Sequence, residues 1–100
     1  MKINGAIEII SFNSQEGVTA DQFLSEVGVL DQFFKGFEGY NDMKVLKEEN
    51  GLFTLVIHWD SAEAEKSATV QMMKSDDTKP FMQMVQPASV SKKVVQCFSS

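Results

Sequence analysis

The chain has 100 residues, 43% of them apolar and 23% charged, a balance that describes one compact globular unit over residues 1–100. Its single cysteine, Cys97, excludes an intramolecular disulfide, and no Cys/His spacing suits a structural zinc. No apolar run approaches the ~18 residues of a membrane span. The net charge of −5, with nine lysines and no arginine, argues against nucleic acid, whose phosphates are met by arginine forks and basic patches. Residues 1–5 lack the apolar region and cleavage site of a signal peptide, so a reducing cytoplasmic setting is expected. Eight Phe, six Met, one Trp and one Tyr are more than one thin core easily hides. Such a surplus marks a partner interface or a ligand cavity.

Residues 6–12 are short and β-branched, apolar on both faces apart from Glu8 and Ser11, and read as a strand. A polar loop follows at 13–17. Thr19 and Gln22 have the spacing of a capping box, with Val18 and Phe23 placed as its hydrophobic staple. Phe23, Val27, Leu30, Phe34 and Phe37 then recur in steps of four and three, one face of a helix of about five turns. Gly36 and Gly39 are both available to end it.

Residues 40–49 form a charged strand suited to a sheet edge. Asn50-Gly51 signals a hairpin, since both residues tolerate positive φ. Residues 52–59 alternate little and are expected to be buried on both faces. Asp60 is placed to cap a second helix, with Glu63 as its reciprocal partner. The first half of that helix is small (Ala62, Ala64, Ser67, Ala68) and can sit close to a sheet. Ser75-Asp76-Asp77-Thr78 breaks the pattern. Pro80 sits in the first turn of a short helix that Pro87 stops. A last strand covers 90–98.

This order favours an α+β, ferredoxin-like βαββαβ fold: a four-stranded antiparallel sheet in order 4-1-3-2 with both helices on one face. The other face stays open, and Ile7, Ile9, Ile10, Leu55, Val56 and Ile57 supply apolar residues to both. A second copy of the chain is the economical cover.

With these elements placed, the chain resembles the dimeric α/β-barrel superfamily, within it the antibiotic-biosynthesis-monooxygenase-like group. The resemblance spans nearly all residues and is most recognisable at Phe53-Thr54-Leu55-Val56-Ile57-His58-Trp59-Asp60-Ser61-Ala62-Glu63-Ala64, with an echo in Phe81 and the downstream Pro87. It implies two sheets packed face to face across a two-fold axis. It also implies a cavity between helices and sheet, which in active members holds a hydrophobic, often polycyclic substrate oxidised without metal or flavin. No cofactor is therefore expected. Two departures bear on activity. The haem-degrading branch has a histidine late in helix two, and residues 67–81 contain none. The oxygenase branches place an Asn in mid strand one, where this chain has Glu8 and Ile9. Other ferredoxin-like families fit worse: acylphosphatases need an arginine, metal-transfer domains Cys-x-x-Cys, and RNA-recognition domains basic and aromatic strand motifs.

His58 is the one side chain whose ordinary pKa lies close to neutrality, so it is the candidate catalytic base, or the group that orients a carbonyl or enol. The plainer reading is a strand histidine bonded to a neighbour or to a dimer mate. Glu8 sits where a charge needs a partner, with His58 or Lys93 available if the strands register suitably, and is a candidate binding residue. Trp59, Phe34, Met72 and Phe81 are candidate walls of a substrate cavity, or ordinary core. Two functions follow: a small-molecule-binding homodimer with cofactor-independent oxygenase chemistry, or a non-catalytic dimeric binding or interaction module.

Overall fold

The computed structural model describes residues 1–100. In chain order the elements are β1 (Lys2–Phe12), α1 (Ala20–Phe34), β2 (Tyr40–Lys47), β3 (Phe53–Trp59), α2 (Ala62–Lys74), α3 (Lys79–Gln83), a 3-10 turn at Pro87–Ser89 and β4 (Ser91–Ser99). All strand pairs are antiparallel and the sheet order is β2-β3-β1-β4, the predicted 4-1-3-2 arrangement. The fold is ferredoxin-like, with the helices packed on one face of the sheet. No helix is long and apolar enough to cross a membrane.

The start of α1 follows its sequence signal. Thr19 Oγ1 accepts from the Gln22 backbone at 3.1 Å and the Gln22 side chain accepts from the Thr19 backbone at 2.9 Å, so two otherwise orphaned amides are satisfied reciprocally. Phe23, Val27, Leu30 and Phe34 are buried as the stripe predicts, but the helix stops at Phe34 and leaves Phe37 half-buried in the following turn.

Three expectations need correction. The β2–β3 hairpin forms, yet Lys47 pairs with Phe53 and the connection runs through residues 48–52. Only Gly51 takes positive φ, at +93°, while the Asn50 side chain instead accepts from the Leu52 backbone at 3.1 Å. The cap of α2 is Ser61, whose hydroxyl accepts from the Ala64 backbone at 3.1 Å. Asp60 lies one residue too early and accepts from the Asn41 side chain at 3.0 Å. Finally, β3 alternates strictly: Phe53, Leu55, Ile57 and Trp59 are buried, and Thr54, Val56 and His58 are half-exposed. Its uniform apolarity therefore serves two different faces, only one of which the chain itself covers.

The uncovered face presents Ile7 and Ile9 of β1, Val56 of β3, and the more exposed Leu46 of β2 and Val95 of β4. On the covered face the aromatic rings gather in two nodes. One joins Phe12, Phe23, Phe53 and Phe81, with Phe23 stacked on Phe53 at a centroid distance of 4.1 Å. The other joins Phe34, Tyr40 and Trp59.

A bulge in β1 completes the frame, because the β1–β4 register shifts between Ile3 and Ala6. Gly5 turns it with φ +74°, and a Cβ there would lie 2.1 Å from the Trp59 carbonyl oxygen. Left-handed backbone alone costs a non-glycine residue about 1–2 kcal/mol, and here the strand must also move away. Gly5→Ala is expected to destabilise the protein by more than about 2 kcal/mol in thermal or urea unfolding. A change below about 0.5 kcal/mol would show that this strand end yields without resistance.

Candidate functional site

From Ala6 onward the residues of even number on β1 face the helices, which puts Glu8 under them in the middle of a central strand, 5% exposed. A carboxylate there must find partners, and the register supplies two from diagonal positions. Trp59 stands opposite Ala6 on β3, and its indole Nε1–H donates to Glu8 Oε1 at 3.1 Å. Lys92 stands opposite Ile10 on β4, and its Nζ lies 3.6 Å from Glu8 Oε2. Lys92 in turn donates to Glu65 Oε2 at 2.5 Å, reaching up to α2. Thr69, one turn along that helix, donates to the same Glu65 oxygen at 2.7 Å. The result is one ammonium held between two nearly buried carboxylates.

Burial raises the Glu8 pKa above its ordinary value. Lys92 opposes the rise, the Glu65 charge adds to it, and the Trp59 hydrogen bond opposes it; burial wins. Trp59 is itself locked, its ring edge-on to Phe34 at 5.0 Å and to Tyr40 at 5.3 Å. The Tyr40 hydroxyl donates to the Asp31 carboxylate, and burial together with that bond pushes the phenol pKa well above its usual range.

Beside this cluster lies a cavity of about 230 Å3 between helices and sheet. Leu30 and Phe34 of α1, Leu55 and Ile57 of β3, Met72 of α2 and Phe81 of α3 form much of its wall, and Glu8, Thr69 and Lys92 supply its polar edge. A more open apolar groove of about 340 Å3 adjoins it, sharing Ile10, Met72, Met73 and Phe81 as walls and continuing along Val85, Pro87 and Val90. The open groove thus lies against the cavity that Glu8 borders, with four wall residues common to both.

Of the residues singled out from sequence, Glu8, Phe34, Met72 and Phe81 line this cavity, and Trp59 stands behind it as the donor to Glu8. His58 does not reach it. By strand alternation it faces the open side of the sheet, where a ring nitrogen lies 2.8 Å from the Asn4 carbonyl. The partners expected for Glu8 are corrected for the same reason. His58 pairs with Ile7 and Lys93 with Ile9, both on the far face. Lys92 and Glu65 were missed. Glu65 had a legible signal, since Ser61, Glu65, Ala68 and Met72 recur in steps of four, three and four. A carboxylate within such a stripe must point at the sheet.

No family profile matches the chain, and no curated protein sequence matches it. Solved structures do. A variant of SnoaB, a cofactor-independent oxygenase from Streptomyces nogalater, superposes with a TM-score of 0.77 at 12% identity, over 97% of this chain and 96% of that one. A candidate antibiotic biosynthesis monooxygenase from Deinococcus radiodurans gives 0.65 at 12% identity, over 95% and 94%. A dimeric ferredoxin-like protein from an uncultured marine organism gives 0.62 at 11% identity, over 100% and 91%. The chain therefore has the ferredoxin-like fold of the antibiotic-biosynthesis-monooxygenase-like proteins.

Proposed function

We propose that the chain binds a hydrophobic small molecule in the cavity between helices and sheet, as a cytoplasmic homodimer closed across the open sheet face. The observation that carries this reading is an apolar cavity that ends on the buried carboxylate of Glu8. Its volume of about 230 Å3 lies below the ~300–1,000 Å3 of pockets for drug-sized ligands. The cavity therefore suits one or two rings, and anything larger extends into the adjoining groove. The half-exposed stripe of Ile7, Ile9 and Val56 supports the dimer, since leaving it in water forfeits apolar burial.

The chemistry we propose is cofactor-independent oxygenation with dioxygen as oxidant: one oxygen atom enters the substrate and the other leaves as water, whose two hydrogens and electrons the substrate itself supplies. Such a substrate becomes electron-rich when a phenol, enol or activated C–H gives up its proton. Glu8 is the acceptor: the substrate's O–H or C–H bond breaks, the proton goes to a Glu8 oxygen, and the electron pair stays on the substrate beside Lys92. The proton-accepting role assigned to His58 from sequence thus passes to Glu8.

The test combines calorimetric titration with an oxygen electrode, using naphthols and quinols of one or two rings. Binding is expected in the wild type and at least ~10-fold weaker binding in Met73→Trp, which narrows the groove at an exposed position. Absence of binding heat for the whole panel at millimolar concentration overturns the binding reading. Binding without oxygen uptake overturns the enzymatic part and leaves the non-catalytic module. A stable monomer by sedimentation at micromolar concentration overturns the dimer.

A further inference from the structure

We propose that this site selects its ligand by charge: it takes a neutral molecule that presents a hydroxyl or enol hydrogen to Glu8, and it rejects the carboxylate of the same skeleton. This deepens the small-molecule reading above and rests on it. Lys92 is the only cation among the residues that line the cavity, and its ammonium is already engaged by Glu65 at 2.5 Å and faces Glu8 at 3.6 Å. With both carboxylates ionised the trio carries one net negative charge. An incoming anion would meet two carboxylates and a single lysine whose charge they already outweigh, behind apolar walls that screen repulsion poorly.

A neutral donor meets the opposite situation. Glu8 Oε1 accepts one hydrogen bond, from Trp59 at 3.1 Å, and its Oε2 stands 3.6 Å from Lys92 Nζ, beyond hydrogen-bond distance. An ionised carboxylate offers about four acceptor positions, so Glu8, one of the residues that line the cavity, keeps acceptor capacity. The other polar side chain of the wall, Thr69, donates its hydroxyl hydrogen to Glu65 and does not compete for Glu8. A ligand hydroxyl is thus the group that completes the carboxylate.

The experiment compares 2-naphthol, 2-naphthoate and 2-methylnaphthalene on the full chain at pH 7.5, by calorimetry or displacement of a fluorescent probe. The three differ in the substituent and hence in charge and donor capacity. Wild type is expected to bind the naphthol at least ~10-fold more tightly than the naphthoate, with the methyl compound between them. Glu8→Gln, which keeps shape but removes the charge, is expected to bring naphthol and naphthoate within ~3-fold. Should that variant fail to fold by circular dichroism, Glu65→Gln removes the other carboxylate, frees Lys92 and narrows the preference in the same direction. Equal affinity for naphthol and naphthoate in the wild type overturns the charge selection and leaves the cavity reading standing. A preference unchanged in the folded variant overturns the role of the carboxylates. Failure of all three compounds to bind counts against the cavity reading itself.

Discussion

Replacing Trp59 with alanine is expected to cost the fold about 3–5 kcal/mol, read from urea unfolding followed by far-UV circular dichroism. The indole is wholly buried and wedged edge-on between Phe34 and Tyr40, where aromatic pairs contribute about 0.5–1.5 kcal/mol beyond the area they bury. Its removal also takes the donor from Glu8 Oε1. Trp59→Phe separates the two effects. It keeps a ring in the node and deletes the N–H, so its loss should fall to about 1–3 kcal/mol, the cost of leaving a buried acceptor unpaired. A domain of this size has only about 5–15 kcal/mol of stability in all, so the alanine variant should stand near its unfolding limit. A loss below about 1.5 kcal/mol for Trp59→Ala would mean that the node repacks around the hole.

The second large effect is expected from Lys92→Met, which keeps the length of the stem and deletes the ammonium. Glu8 and Glu65, each with a side chain 7% exposed, would then face one another without a cation. Breaking a buried ion pair from one side costs about 3–5 kcal/mol, and that figure applies near pH 7.5, where both groups are asked to be ionised. The pH dependence has a definite sign. The wild-type Glu8 pKa is raised in the folded state, so above the ordinary carboxylate range the folded chain holds more protons than the unfolded one. Stability therefore falls as pH rises through the folded pKa, and is recovered as pH drops back toward the unfolded value. Removing Lys92 withdraws the chief opposing charge, so the slope should steepen in the variant. Chemical denaturation at several pH values between 5 and 8 reads this directly. Adding Glu8→Gln to Lys92→Met should restore much of the loss at pH 7.5 and flatten the slope. A pH-independent loss below about 1 kcal/mol in the single variant would show that the carboxylates reach water without Lys92.

How far the sequence revealed the molecule depends on which residues carry unambiguous pattern. The stripe Phe23, Val27, Leu30, Phe34 and the Thr19/Gln22 box specify α1 locally, and the structure returns both. Asn50-Gly51 announces a turn but not its length, because the side chain of Asn50 offers the backbone an alternative to positive φ. Strand β3 is the instructive failure. Leu55, Val56 and Ile57 are equally apolar, so period-two alternation is invisible in the letters, and with it the face that His58 occupies. The choice between Lys92 and Lys93 as the neighbour of Glu8 was closed to sequence in the same way. It turns on strand register, set by pairings between residues about 80 positions apart. Glu8 itself was conspicuous as a charge on a central strand; its surroundings were not.

Trp59 is the chain's one tryptophan, and its indole hydrogen rests on the carboxylate at the polar end of the cavity. The protein consequently carries an intrinsic optical reporter at the position of interest. All indole emission from unlabelled material arises from this ring, rigidly held beside a group whose protonation and contacts change its local field. Occupancy of the cavity and titration of Glu8 thus share one spectroscopic channel, free of background from any second indole.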